Sequence, residues 1–151
     1  DYTEVLRIDP KMVNALANRG AIHYARGKFD LAMADSEAAR HAPNNAGIIH
    51  QIGAIYLAKG DIDPALWGFY KPVSLAPKAA RFVFSRGRAY ARKGDYEKAG
   101  RDFAAAVAID GNHADSRACL AAMEQALDAQ RKRASMPAIP QQCVRDPDIR
   151  A

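Results

Sequence analysis

The chain has 151 residues, of which 49% are hydrophobic and 26% charged, and its formal net charge is +5 at pH 7. No apolar run approaches the roughly 20 residues of a transmembrane helix, so the sequence does not indicate a membrane span. The positive balance is mild and mixed with acidic residues, and no aromatic platform accompanies it. Nucleic-acid binding is therefore not expected.

The chain opens on one short predicted helix. In DYTEVLRIDP, four apolar side chains fall at helical spacing: Tyr2, Val5, Leu6 and Ile8. Because the same pattern closes a helix pair later in the chain, residues 1–12 are predicted to be the second half of a truncated repeat. The missing first half indicates a piece of a longer array.

Three predicted helix pairs follow, and each turns at a glycine. The corner glycines Gly27, Gly60 and Gly94 are 33 and 34 residues apart, a period typical of stacked helical repeats. Glycine at this position supplies the left-handed backbone conformation that ends a helix. The pairs are predicted at residues 13–45, 46–79 and 80–113.

Small residues recur where the two helices of each pair must cross closely. They are glycines on the first helices and alanines on the second helices: Gly20, Gly53, Gly87, Ala32, Ala65 and Ala99. A larger side chain would push the helices apart, at a cost of about 1–3 kcal/mol.

The second pair reads Ile49-x₂-Ile52-Gly53-x₂-Tyr56, then Ala65-x₃-Phe69 and Pro77. This pattern resembles the tetratricopeptide repeat, a helix-turn-helix unit of about 34 residues. The resemblance covers about residues 1–133, although His23 and Ser36 replace the tyrosine and phenylalanine of the first pair. It implies an all-α fold: an α-solenoid of antiparallel helix pairs, the TPR superhelix, with a C-terminal capping helix.

The C-terminal part changes character. Residues 114–133 are predicted to be the capping helix, with one apolar stripe formed by Leu120, Met123 and Leu127. Residues 134–151 contain three prolines without helical period, so an extended or disordered tail is predicted. Cys119 and Cys143 lack metal or redox spacing and are predicted to be free, reduced thiols.

The second helix of the second pair departs from the repeat pattern. Pro72 lies well inside this helix and removes a backbone donor, which predicts a kink or an early end. Trp67 falls on the flank of the helix, where it either covers a neighbouring helix or forms an exposed patch. Trp67 and Pro72 are therefore candidate self-association residues.

No pattern in the sequence indicates catalysis. The four histidines are scattered without metal-ligand spacing, and there is no glycine-rich phosphate loop or nucleophile elbow. We therefore predict that the chain is not an enzyme and needs no cofactor or metal.

The resemblance implies a concave surface, lined mainly by first helices, that binds peptides in extended or helical form. First-helix residues not used in packing are the candidate groove residues: Asn14, Asn18, His50, Gln51, Arg81, Ser85, Arg88 and Arg92. Amides suit recognition of a peptide backbone, and arginine suits a carboxylate. The predicted function is a non-catalytic protein–protein interaction scaffold that binds a partner peptide or helix, acidic if the arginines carry the contact.

Several alternatives stay open at this point. The segment could be the targeting or regulatory array of a larger enzyme, or a self-assembly module, and the arginine face could be merely solvated. A carboxylate clamp is not expected, although Asn18 suits one, because Gly47 and Gln51 occupy positions where the clamp requires basic residues. A cytoplasmic location is favoured, while the start in mid-repeat leaves an upstream export signal open.

Overall fold

The computed structural model describes residues 1–43, 45–146 and 148–149. Within these residues the regular structure consists of eight α-helices and one 3₁₀ turn, without a β-strand. The helices are α1 (Tyr2–Ile8), α2 (Val13–Ala25), α3 (Phe29–Ala39), α4 (Ala46–Lys59), α5 (Ile62–Leu75), α6 (Ala80–Lys93), α7 (Tyr96–Ile109) and α8 (Ala114–Arg131), and the 3₁₀ turn is Gln141–Cys143. The chain divides into unit 1, which is Asp1–Lys71 with the described residues 148–149, and unit 2, which is Pro72–Asp146.

Unit 1 begins with a short helix packed on the first helix pair. The Asp1 carboxylate caps α1 by accepting a hydrogen bond from the Thr3 backbone N–H at 3.0 Å. The core beneath α1 joins three helices through buried side chains: Leu6, Ala15, Leu16 and Ala39. Burial against α2 and α3 stabilises α1, because a helix of seven residues is unstable alone.

The predicted close crossing within each helix pair is confirmed. A methyl group placed on Gly53 would lie 2.9 Å from the Phe69 ring, and one placed on Gly87 would lie 2.8 Å from the Phe103 ring. The alanines of the second helices are fully buried: Ala32, Ala65 and Ala99. These positions therefore admit only small residues without displacement of the helices.

The corner glycines have the predicted left-handed backbone. The φ angles of Gly27, Gly60 and Gly94 are +69°, +92° and +86°. After the third corner, the Asp95 N–H donates back to the Tyr90 carbonyl at 3.0 Å. This bond satisfies a carbonyl that the end of α6 would otherwise leave open.

The second pair contains a contact that the sequence did not reveal. A methyl group on Gly68 would lie 2.8 Å from the Gly53 Cα, so the backbones of α4 and α5 touch here. The predicted early end at Pro72 is wrong, because α5 continues to Leu75. Pro72 is fully buried, and its helix is retained despite the lost backbone donor.

In unit 2, α6 packs on α7 and α7 packs on α8. The core between these helices includes Phe103 and Met123, both fully buried. Of the stripe predicted on α8, Met123 is buried and Leu120 and Leu127 are half-buried. The buried face of α8 is thus centred on Met123, with small residues on either side of it.

The chain reverses direction after α8. Arg133 has a left-handed φ of +52°, and the Ala134 N–H donates to the Ala129 carbonyl at 2.9 Å. Residues 134–140 have no regular secondary structure, and the 3₁₀ turn that follows packs on both α6 and α8. The reversal therefore returns the C-terminal segment to the body of unit 2.

The prediction of two free thiols is wrong. Cys119 of α8 and Cys143 of the 3₁₀ turn form a disulfide, with a Cα–Cα distance of 5.4 Å. Both residues are fully buried. Their spacing in the sequence gave no indication of this pairing, because the left-handed turn at Arg133 is what brings Cys143 back to α8.

Candidate functional site

The candidate groove residues of unit 1 differ in their exposure. Asn14 and Asn18 are exposed on α2. On α4, Gln51 is half-buried, and so is His50, whose ring centroid lies 5.4 Å from that of Phe69. The two asparagines are therefore accessible to a partner, whereas His50 and Gln51 are partly packed.

A buried polar cluster lies beside Gln51. Arg19 donates two hydrogen bonds to the Asp35 carboxylate, at 2.8 and 2.6 Å, and these bonds raise the pKa of the Arg19 guanidinium. His23 Nε2 lies 3.9 Å from the same carboxylate. Two atoms of this region are buried without a hydrogen-bond partner in the described part of the chain, His23 Nδ1 and Gln51 Nε2. The cluster thus retains unused hydrogen-bonding capacity.

The three candidate arginines of α6 have different surroundings. Arg81 and Arg92 are exposed near the two ends of the helix, and the Arg81 guanidinium lies 4.6 Å from the centroid of the Phe82 ring. Between them, Arg88 is 5% exposed and Ser85 is 3% exposed. Arg88 and Ser85 therefore do not lie on an open surface.

Arg88 is held by groups from two parts of unit 2. Its Nη1 donates to the Arg145 carbonyl at 3.0 Å and lies 3.7 Å from Asp146 Oδ1. Its Nη2 donates to Ser85 Oγ at 3.4 Å, and its guanidinium lies 5.2 Å from the centroid of the Phe84 ring. We call Phe84, Ser85 and Arg88 the Arg88 pocket, and it holds a backbone carbonyl beside a carboxylate.

One donor of this pocket is unused. Arg88 Nε is buried without a hydrogen-bond partner in residues 1–43, 45–146 and 148–149. Burying an unpaired N–H of a charged group is unfavourable, at a cost of about 1–3 kcal/mol or more. The pocket is therefore only partly satisfied by the segment that fills it.

Sequence reasoning missed two features of the structure. It did not place Arg145 and Asp146 against α6, because no periodicity marks the tail. It also missed the ion pairs Arg19–Asp35 and Arg86–Asp102, although both follow one signal, an arginine before the helix-crossing glycine and an aspartate 16 residues after the arginine.

The two candidate self-association residues are in opposite environments. Trp67 is 83% exposed, so it lies on the surface of α5 and not under a neighbouring helix. Pro72 is fully buried and offers no surface to a second molecule. Only Trp67 could thus take part directly in such a contact.

Nowhere in the described residues do three or more His, Cys, Asp or Glu side chains come together as a potential metal site. None of the described helices combines the length and the apolar character needed to cross a bilayer.

Comparison with known proteins supports the repeat assignment. Residues 80–113 match the tetratricopeptide repeat family. Over 98 residues the chain is 28% identical to BBSome complex member BBS4 of Bos taurus, an alignment that covers 65% of this chain and 19% of BBS4. The chain thus spans about a fifth of the length of this curated relative.

The fold is also similar to a solved structure. The crystal structure of MamA matches with a TM-score of 0.73 and 17% sequence identity, over 87% of this chain and 75% of MamA. This similarity confirms the predicted fold class, an all-α solenoid of helix pairs. Together with the match at residues 80–113, it shows a tetratricopeptide repeat within a fold of stacked helix pairs.

Proposed function

We propose that the chain is a non-catalytic scaffold that binds an extended peptide or a helix of a partner protein along its first helices. Tetratricopeptide repeats are protein-interaction modules in general. The proposal adds which face binds the partner, namely the face formed by the first helices. One observation carries it: the Arg88 pocket already holds a short peptide segment, through the Arg145 carbonyl and the Asp146 carboxylate.

The charge of α6 favours an acidic partner. The helix contains five basic side chains and no acidic one in ARFVFSRGRAYARK. Of these, Arg81 and Arg92 are exposed on either side of the Arg88 pocket. Because guanidinium groups bind carboxylates in a two-pronged geometry, the two arginines would guide an acidic segment towards the pocket.

In unit 1, Asn14 and Asn18 would serve a different purpose. Both amides are exposed on α2, and each amide can donate and accept hydrogen bonds. They suit recognition of peptide backbone without regard to its sequence. We therefore assign the selection of acidic partners to unit 2 and the recognition of peptide backbone to unit 1.

The test uses an array of synthetic peptides with acidic, neutral and basic sequences, probed with the full chain before and after reduction with a dithiol. Peptides that bind are then titrated against the Arg81→Ala/Arg92→Ala variant. The control is Lys98→Ala/Arg101→Ala on α7, which removes the same charge from exposed positions of a second helix. We expect acidic peptides to bind and only the α6 variant to lose affinity. Equal losses in both variants, or no binding peptide, would contradict the proposal.

Self-association is the second candidate function, and the exposure of Trp67 favours it. A tryptophan that is 83% exposed is a strong potential anchor for an interface. Sedimentation equilibrium of the chain and of the Trp67→Ala variant would test this function, with Leu31→Ala as a control at another exposed apolar residue. A concentration-dependent dimer that only Trp67→Ala weakens would support it, and a monomer at all concentrations would exclude it.

A further inference from the structure

The C-terminal segment occupies the face of unit 2 on which the proposed function places a partner. The 3₁₀ turn Gln141–Cys143 packs on α6, the first helix of the third pair, and on α8. Directly after the turn, Arg145 and Asp146 meet the Arg88 guanidinium. The chain thus places its own carboxylate at the most deeply buried arginine of the face.

We propose that residues 141–146 are an intramolecular occupant of the Arg88 pocket, locked in place by the Cys119–Cys143 disulfide. Breaking this disulfide releases the segment and opens the pocket to an aspartate or glutamate side chain of a partner. The partner step rests on the proposed function, whereas release of the segment does not.

The contacts of the segment resemble those of a bound peptide. The Arg145 carbonyl accepts a hydrogen bond from Arg88 Nη1 at 3.0 Å, and Asp146 Oδ1 lies 3.7 Å from the same nitrogen. A backbone acceptor next to an acidic side chain is the pattern that an extended acidic peptide presents to an arginine. The pocket is therefore suited to this class of ligand.

The segment is also an incomplete ligand. Asp146 lies beyond ordinary hydrogen-bond distance from Arg88, and Arg88 Nε is buried without a partner in the described residues. A carboxylate that approached the guanidinium side-on would accept from both Nε and an Nη. A partner side chain can thus satisfy a donor that the native segment leaves unused. This would favour replacement of the segment by the partner once the segment is free.

The disulfide is what makes the incomplete ligand persistent. The segment has only one short turn of regular structure, and residues 134–140 before it have none. The disulfide holds the turn against α8, so the effective concentration of the segment at the pocket is very high. The irregular residues 134–140 alone would give a lower effective concentration. Without the bond, a few polar contacts must hold the segment against its conformational entropy.

The release step is a thiol–disulfide exchange. A dithiol reductant attacks one sulfur as a thiolate, the Cys119–Cys143 bond breaks, and the reductant closes into its own disulfide. Two electrons and two protons pass to the protein, so both cysteines become thiols. Because both residues are fully buried, attack occurs when the 3₁₀ turn opens locally, and reduction is therefore expected to be slow.

Hydrogen–deuterium exchange of the full chain tests the lock without any partner. It is followed by mass spectrometry in the oxidised protein, in the protein reduced with a dithiol, and in the Cys143→Ala variant. The Cys119→Ala variant breaks the same bond from the other side, in case one substitution impairs folding. The internal control is α7, whose helical bonds do not involve the disulfide.

We expect exchange in residues 141–146 to become at least about tenfold faster after reduction and in both variants, while α7 stays protected. Unchanged protection of residues 141–146 would overturn the inference, because the segment would then hold without the lock. Complete loss of protection throughout unit 2 would also overturn it, since the whole unit, and not the segment alone, would then depend on the disulfide. If the segment is released but no acidic peptide binds, the proposed function fails and the lock stands.

Discussion

The Arg86 guanidinium holds the Asp102 carboxylate through two hydrogen bonds, both of 2.8 Å, across the third helix pair. The same arrangement joins Arg19 to Asp35 in the first pair. In the second pair the corresponding positions are Ile52 and Gly68. There the ion pair is absent, and the backbones of α4 and α5 touch instead. The repeat thus has two ways of joining its helices, one by charge and one by close approach.

The Arg86–Asp102 pair should contribute measurably to stability. Its side chains are 20% and 9% exposed, so removing one partner leaves a poorly solvated charge behind. We expect Asp102→Ala to lower the free energy of unfolding by about 2–4 kcal/mol. Urea unfolding of both single variants and of Arg86→Ala/Asp102→Ala should give a coupling energy of about 1–3 kcal/mol. Additive single effects would show that the pair contributes nothing specific.

Two glycine-to-alanine substitutions should have opposite signs. Alanine favours a helix interior over glycine by about 1 kcal/mol. At Gly100 the added methyl would lie 3.6 Å from Met123 Cβ, an ordinary contact, so Gly100→Ala should stabilise the chain by about 0.5–1 kcal/mol. At Gly68 the methyl would lie 2.8 Å from the Gly53 Cα, and overpacking should destabilise by about 1–3 kcal/mol. Thermal unfolding followed by circular dichroism at 222 nm measures both effects. A stabilising Gly68→Ala would contradict the close contact.

A glycine in place of Arg133 should stabilise the chain reversal after α8. Arg133 is in the left-handed region at φ +52°, which strains a residue that has a Cβ. We expect Arg133→Gly to raise the free energy of unfolding by about 0.5–1 kcal/mol. Lys132→Gly is the matched control, because Lys132 has a right-handed backbone and should gain nothing. A loss of stability in Arg133→Gly would mean that the turn is not left-handed in solution.

The disulfide should also stabilise unit 2 by restricting the conformations that the unfolded chain can adopt. The cysteines are 24 residues apart, and closing a loop of this length contributes about 3 kcal/mol. Cys143→Ala should therefore unfold at a lower urea concentration than the oxidised protein, and added dithiol should shift only the wild-type curve. If the dithiol shifts the variant as well, the reductant acts elsewhere.

The fold could be predicted largely because each repeat carries its own constraints. The positive φ of Gly60 and the tight crossing at Gly53 are local requirements, and only small residues meet them. A periodic pattern therefore reports directly on the helix pairs. Pro72 misled the prediction because packing within the fold outweighed a single lost hydrogen bond.

The candidate site was harder to predict because its decisive contacts are not periodic. The position of Arg88 on α6 follows from the repeat, but its burial depends on residues 57 positions later in the chain. Neither the reversal at Arg133 nor the pairing of Cys119 with Cys143 has a spacing signature. The long-range contacts of an irregular segment therefore cannot be predicted from periodicity or spacing in the sequence.

The most direct measurement is the affinity of an acidic peptide selected on the array for the oxidised protein and for the Cys143→Ala variant. Isothermal titration should give a Kd at least about tenfold lower for the variant, equivalent to about 1.4 kcal/mol, because its pocket is no longer locked. The Cys143→Ala/Arg88→Ala variant should lose this gain. Equal affinities of the oxidised protein and the Cys143→Ala variant would contradict the account.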